Sequence, residues 1–192
     1  LYSIVHDITD RVQAQRLLSE SERRLSTLME NLPGMVYRCL NDEFWTMKFI
    51  SEGCFDLTGY PRDYLLDNHR TNYAELIHPD DRQMVWDKVQ AAINKRKRFN
   101  MAYRINCAGG AEKWVMETGQ GIFSEKNDLL AIEGFITDIT ERKRSEEARY
   151  HSEEKFELAF QASPDSINFN RLSDGVYIDI NEGFTKLTGY TR

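Results

Sequence analysis

The chain repeats itself, and the repeat limits what it can fold into more than any single motif does. Asp7-Ile8-Thr9-Asp10-Arg11 returns as Asp138-Ile139-Thr140-Glu141-Arg142, a shift of 131 positions. Ser21-Glu22 followed by Pro33 returns at the same shift as Ser152-Glu153 followed by Pro164. Glu52-Gly53 with Leu57-Thr58-Gly59-Tyr60 and Arg62 then returns as Glu182-Gly183 with Leu187-Thr188-Gly189-Tyr190 and Arg192, at a shift of 130. Three blocks that agree in order and spacing define a unit of about 130 residues. The 192 residues are therefore expected to hold the end of one unit (1–10), a linker helix (11–32), a complete unit (33–140), a second linker helix (141–162) and the incomplete front of a further unit (163–192).

Periodicity orders the elements within the complete unit. Residues 9–32 predict a helix: Thr9 suits an N-cap, and Ala14, Leu18, Ser21, Leu25, Leu28 and Leu32 recur at alternating steps of four and three, the seam of a two-helix coiled coil. Pro33-Gly34 ends it. Strand candidates at 35–40 and 46–50 flank a polar Asn41-Asp42-Glu43 turn, and short helical pieces at 53–57 and 63–66 flank Gly59-Tyr60-Pro61. Residues 79–95 predict a longer helix with Val85, Val89, Ala92 and Ile93 as its apolar stripe. Three alternating strands close the unit, carrying Phe99, Met101, Tyr103 and Ile105, then Trp114, Met116 and Ile122, then Leu130, Ile132 and Ile136. This order implies an α+β fold, one antiparallel sheet with helices on one face and long linker helices on either side.

The same residues carry a family resemblance. Leu57-Thr58-Gly59-Tyr60, His78-Pro79-Asp80-Asp81, Tyr103-Arg104-Ile105, Trp114-Val115 and the closing Gly134-Phe135-Ile136-Thr137-Asp138-Ile139-Thr140-Glu141-Arg142 stand in the order of a PAS domain with its C-terminal PAC motif, which residues 20–142 resemble. The resemblance implies a five-stranded antiparallel sheet with a pocket between its concave face and the helices. It implies a role in sensing or dimerisation, upstream of an output domain in a bacterial sensor. The output would be a histidine kinase first, and a diguanylate cyclase or phosphodiesterase next. By the same resemblance, Asp138 and Thr140 mark the junction where a change in the sheet passes to the following helix.

The net charge of −6, with basic residues scattered among acidic ones, argues against a nucleic-acid partner. Cys39, Cys54 and Cys107 are few and widely spaced, as in a chain kept in the reducing cytoplasm. No apolar run approaches a bilayer span, so no membrane contact is expected, and without an initiator Met or a signal peptide the chain reads as a piece of something longer. No Gly-rich phosphate loop, nucleophile elbow or metal-spaced His pair is present, nor the Gly-Gly-Asp/Glu-Glu-Phe signature of a cyclase, and His151 lacks a histidine kinase's His-Glu-then-Pro pattern. The fragment is not expected to be an enzyme or to hold a metal. His78-Pro79-Asp80-Asp81 reads as a helix start whose carboxylates cap free amides.

Haem is disfavoured because the long helix has no His, and a flavin adduct because no Cys lies in an Asn-Cys-Arg setting. No cofactor is predicted. Met101, Tyr103, Trp114, Met116, Ile132 and Ile136, opposed by Phe55, Val85 and Val89, are expected either to enclose a small unknown ligand or to form plain core. Leu18, Leu25, Leu28 and Leu32 need a partner surface, and their heptad spacing favours a parallel helix from a second copy over the chain's own sheet. The other expected partners are neighbouring PAS units and the output domain. The second linker, 141–162, is charge-rich with a weaker seam. Residues 163–192 hold half a sheet and are expected to be disordered or borrowed into a neighbour's edge.

Overall fold

A computed structural model describes the chain from residue 9 to residue 191, except for the side chains of residues 9, 10, 22, 25 and 30. The unit expected to end at residue 10, and the side chain of Leu25, therefore lie outside the described residues. Two compact units are present, Leu1–Thr140 and Glu141–Arg192.

The first unit begins with α1 (Thr9–Glu30), followed by β1 (Met35–Cys39), β2 (Met47–Ile50), α2 (Cys54–Thr58), α3 (Arg62–Leu65) and α4 (Tyr73–Leu76). A 3-10 turn at Pro79–Asp81 leads into α5 (Arg82–Asn94), and β3 (Phe99–Asn106), β4 (Glu112–Phe123) and β5 (Leu129–Asp138) complete it. All strands join one five-stranded sheet in the order β2-β1-β5-β4-β3, and every pairing is antiparallel. The element order and sheet are those expected from the periodicity, with α4 added. That helix has only four residues and starts at Asn72, whose side chain accepts the Glu75 amide, so it is too short to show a helical period.

One face of the sheet carries the core. Met35, Tyr37, Cys39, Phe99, Met101, Tyr103, Ile105, Ile132 and Ile136 are all buried there, under Leu57, Leu65, Tyr73, Leu76, Val85 and Val89 of the helices. The pairing register sets Ile50, Tyr37, Gly134, Gly119 and Phe99 in one row across all five strands. The two glycines at its centre make room for large rings. A Cβ on Gly134 would lie 2.7 Å from Tyr37 Oη and 2.7 Å from the Thr118 carbonyl, and one on Gly119 would collide with the Phe99 ring.

The Pro79–Asp81 turn departs from expectation in its details. His78, not the carboxylates, provides the cap: its Nδ1 accepts the Asp80 amide at 3.3 Å. Asp81 instead accepts from Arg104 Nη2 at 2.7 Å, Nε at 3.0 Å and the backbone amide at 2.9 Å. It ties the start of α5 to the middle of β3, because a planar guanidinium matches a carboxylate better than a lone amide does.

The second unit holds α6 (Thr140–Ala162) beyond its first residue, a hairpin of β6 (Asn168–Asn170) and β7 (Tyr177–Ile180), and α7 (Glu182–Thr188). Residues 163–191 thus carry a hairpin and a helix of their own, in place of the disorder or the borrowed edge expected of half a sheet. Asn181, 1% exposed, explains this. Its side chain accepts the Ile167 and Phe184 amides and donates to the carbonyls of Phe160, Ser163 and Asp165. Phe160 is buried beside Phe156 and Phe169. Apolar surface remains open on the hairpin, at Leu172 and Ile178, and on α7, at Leu187.

Gly134→Ala is expected to destabilise the first unit by about 1–3 kcal/mol, the usual cost of overpacking a well-filled core. Chemical denaturation should show the midpoint fall with an unchanged slope; an unchanged midpoint would mean that Tyr37 can move aside freely.

Candidate functional site

The site forms on the concave face of the sheet because β4 turns a carboxylate inward. Register pairs Met101 with Glu117 and Glu117 with Ile136, so Glu117 lies in a row of apolar residues. It is 6% exposed. Tyr37, which lies over Gly134, donates its hydroxyl proton to Glu117 Oε1, and Tyr103 bonds the same carboxylate. The Tyr73 and Tyr103 hydroxyl oxygens are 2.9 Å apart. A phenol has one proton to give, so with Tyr103 donating to Glu117, Tyr73 donates to Tyr103. Strands β1, β3 and β4 and helix α4 thus contribute one group each to a single buried polar chain.

Burial sets the electrostatics. It raises the Glu117 carboxyl above the usual carboxylate range, against the two phenol hydrogen bonds that pull it down. It pushes the Tyr37, Tyr73 and Tyr103 phenols well up, so they remain donors at neutral pH. Beside this chain is a cavity of about 10 Å³, room for one water, lined by Tyr37, Cys39, Trp45, Met47, Tyr73, Ile77, Val85, Val89, Phe99, Glu117 and Ile132.

The residues expected to face a pocket divide accordingly. Val85, Val89 and Ile132 line the cavity, Tyr103 reaches it through Glu117, and Met101 and Ile136 are buried on either side of Glu117. Phe55, Trp114 and Met116 do not belong to it. Phe55 is 59% exposed on α2. Trp114 and Met116 alternate with Val115 and Glu117, so their side chains lie on the opposite face of β4, where the Arg104 guanidinium sits over the Trp114 ring. The larger apolar residues of β4 thus stand at the wrong parity for the cavity. Glu117, masked in the sequence by its charge, lines it instead, together with Tyr37, Trp45, Met47, Tyr73, Ile77 and Phe99. A usable signal was present in Gly119 and Gly134, which mark the face where bulky side chains cross the sheet.

The cysteines are buried thiols. Burial raises all three above the ordinary thiol range, and Cys54 lies 3.7 Å from the Thr58 hydroxyl inside α2. Among the described residues, no cluster of His, Cys, Asp and Glu has the spacing to hold a metal, and no helix is long and apolar enough to cross a membrane.

A second polar cluster lies at the end of β5, around Thr140. Thr140 Oγ1 accepts the Trp114 amide at 3.0 Å, the Trp114 carbonyl accepts the Ile139 amide at 2.9 Å, and Asp138 Oδ1 accepts the Thr140 amide at 2.8 Å. Lys113 Nζ bridges Asp138 at 3.2 Å and the Asp56 carbonyl of α2 at 2.9 Å. Burial works to raise the Asp138 carboxyl, but Thr140 and Lys113 outweigh it and hold the group below its usual range. Asp138 and Thr140 therefore touch at the first residue of α6, and Lys113 adds a link to α2 that had no sequence signal.

The Glu117 shift predicts a pH dependence. Its folded pKa is above the unfolded value of about 4.3, so the folded state holds the proton more tightly. Stability from this group is therefore lost as pH rises from about 4.3 through the folded pKa. Glu117→Gln is expected to gain stability relative to the parent chain across that window, read from urea midpoints at acidic and neutral pH; parallel curves would contradict it.

The family model described as PAS fold matches residues 47–136. A solved structure of a sensory box histidine kinase/response regulator from Burkholderia thailandensis is 26% identical with a TM-score of 0.56, covering 70% of this chain and 98% of that one. An uncharacterised protein of Sinorhizobium fredii is 30% identical over 148 residues, which are 77% of this chain and 17% of that protein. A methyl sulfide methyltransferase-associated sensor of Methanosarcina acetivorans is 29% identical over 133 residues, 67% of this chain and 13% of that protein. The chain thus spans less than a fifth of the length of these curated relatives. Sheet order, helical layer and family match agree, and the unit built around residues 47–136 is a PAS domain.

Proposed function

We propose that this chain is the sensory and dimerising part of a longer cytoplasmic bacterial signalling protein, without catalysis of its own. The observation that carries this reading is the junction at Lys113, Asp138 and Thr140. One lysine touches both α2, which packs on the concave face, and the carboxylate that holds the first amide of α6. In this reading a shift of α2 would reach Thr140 through that lysine. The sensor name of the Methanosarcina relative and the histidine kinase name of the Burkholderia structure favour a kinase output, with a diguanylate cyclase or phosphodiesterase next.

Dimerisation is assigned to α1. Leu18 and Leu28 are exposed, as is Leu32 just beyond the helix, so the chain's own sheet does not cover them. A parallel helix from a second copy would bury this stripe, with each leucine contributing up to about 1.5–3 kcal/mol. Residues 163–191 are read as the front of a further PAS unit, which makes the arrangement tandem and the closing strand of the first unit its PAC motif. Asn181 accepts the Ile167 amide as Ser51 accepts the Val36 amide, at the spacing of the sequence repeat. The tight interior favours one second reading, a spacer or protein-interaction domain without ligand, which a thermal-shift survey of metabolites without a hit would support.

Leu28→Asp is expected to halve the mass of the chain in light scattering, and an unchanged mass would exclude α1 as the dimer helix. Thr140→Val removes the acceptor of the Trp114 amide. Faster hydrogen exchange is expected there and in the first turn of α6, with the sheet core still protected; uniform protection would remove the junction's role.

A further inference from the structure

The interior cavity has a specific chemistry. Four aromatic residues, Tyr37, Trp45, Tyr73 and Phe99, surround one carboxylate, and no Lys, Arg or His is among the lining residues. The only formal charge the cavity can present is negative. Rings around a carboxylate favour a positive charge, through the negative potential of their faces and through direct pairing. The same walls repel carboxylates and phosphates.

Trp45 stands between two spaces. It lines the inner cavity and also an outer groove of about 320 Å³ bounded by Glu43, Ala74, Arg82 and Trp86, and only Ile77 is shared in the same way. Its ring centroid lies 5.1 Å from that of Trp86 at an angle of 49°. Trp45 has a backbone φ of 52°, a left-handed conformation that is unfavourable for a bulky residue. The turn is held by the Thr46 amide donating to Asp42 and by Asn68 donating to the Thr46 hydroxyl. Asp67 and Asn68 are also left-handed. Backbone bonds from Trp45 to Asp42 and from Leu40 to Thr46 add to those side-chain bonds, so the wall between cavity and groove is a strained turn held by its surroundings, as strained residues at ligand clamps and switch regions are.

We propose that the cavity takes a small organic cation of the alkylammonium class, admitted from the outer groove by movement of Trp45, with Glu117 as its counter-charge. The inference rests on the sensory reading above and names its ligand class. Space for one water is too little for an alkylammonium ion, so entry requires Trp45 to swing out and join the two spaces. The Glu117 carboxyl, which burial biases toward its neutral form, becomes ionised when the cation arrives. Tyr37 and Tyr103 keep their hydrogen bonds to it.

The test titrates the whole chain with methylammonium and tetramethylammonium chlorides, with sodium chloride and sodium acetate as ionic controls and tert-butanol as the uncharged isostere, followed by Trp fluorescence and amide chemical shifts. A saturable response to at least one alkylammonium, confined to residues around Glu117, is expected, with affinity lowered about tenfold or more in Glu117→Gln. Trp45→Phe keeps an aromatic wall and should bind the cation while losing most of the fluorescence change. No saturable response to either cation, equal binding of tert-butanol, or full affinity in Glu117→Gln would overturn the proposal. A fluorescence change that survives in Trp45→Phe would overturn the role of Trp45. None of these outcomes touches the sensory reading, which stands or falls on the mass of Leu28→Asp and on exchange at the α6 junction.

Discussion

Two glycines face each other on the central strands, Gly119 on β4 and Gly134 on β5, and the interior depends on the missing side chains. Without a Cβ at either position, the Tyr37 ring lies across one strand and the Phe99 ring across its neighbour. Tyr37 can then reach Glu117 two residues along β4 from Gly119. Filling the row with ordinary side chains would lift both rings away from the sheet and take from the buried carboxylate one of its two phenol donors, and a buried polar group short of a partner is costly. The glycines therefore set both the shape of the core and its one charged feature.

The polar groups of this unit work as connectors. Asp81 binds the start of α5 to β3 through Arg104, and the Glu117 chain binds β1, β3, β4 and α4. Lys113, Asp138 and Thr140 bind α2, β4 and β5 to the first residue of α6. These bonds are directional, so a small movement of one element breaks or re-forms a few of them instead of being absorbed in apolar packing. The sensory role proposed above would use such discrete contacts between the pocket side and Thr140.

Much of the fold was legible in the chain because its signals are local. Leu18 and Leu28 declare a helix by spacing alone, Pro33-Gly34 a stop, and the alternation from Phe99 to Ile105 a half-buried strand. The site was only half legible. Val85, Val89 and Ile132 fell where the helical and strand periods placed them. β4 defeated the same logic because both of its faces are apolar enough to be core: Trp114 and Met116 on one, Val115 with Gly119 on the other. Hydrophobicity then chose the heavier face, and the heavier face looks away from the cavity.

The sequence by itself determined the repeat, the order of the main elements and the place of the long helices. Each follows from neighbours within a few turns or from a motif of adjacent residues. Tertiary structure alone decided the parity of β4, the inward turn of Glu117, the partnership of three tyrosines drawn from three elements, and the position of Trp45 between cavity and groove. These depend on pairing register between strands far apart in the chain, where an offset of one residue sends every side chain to the opposite face.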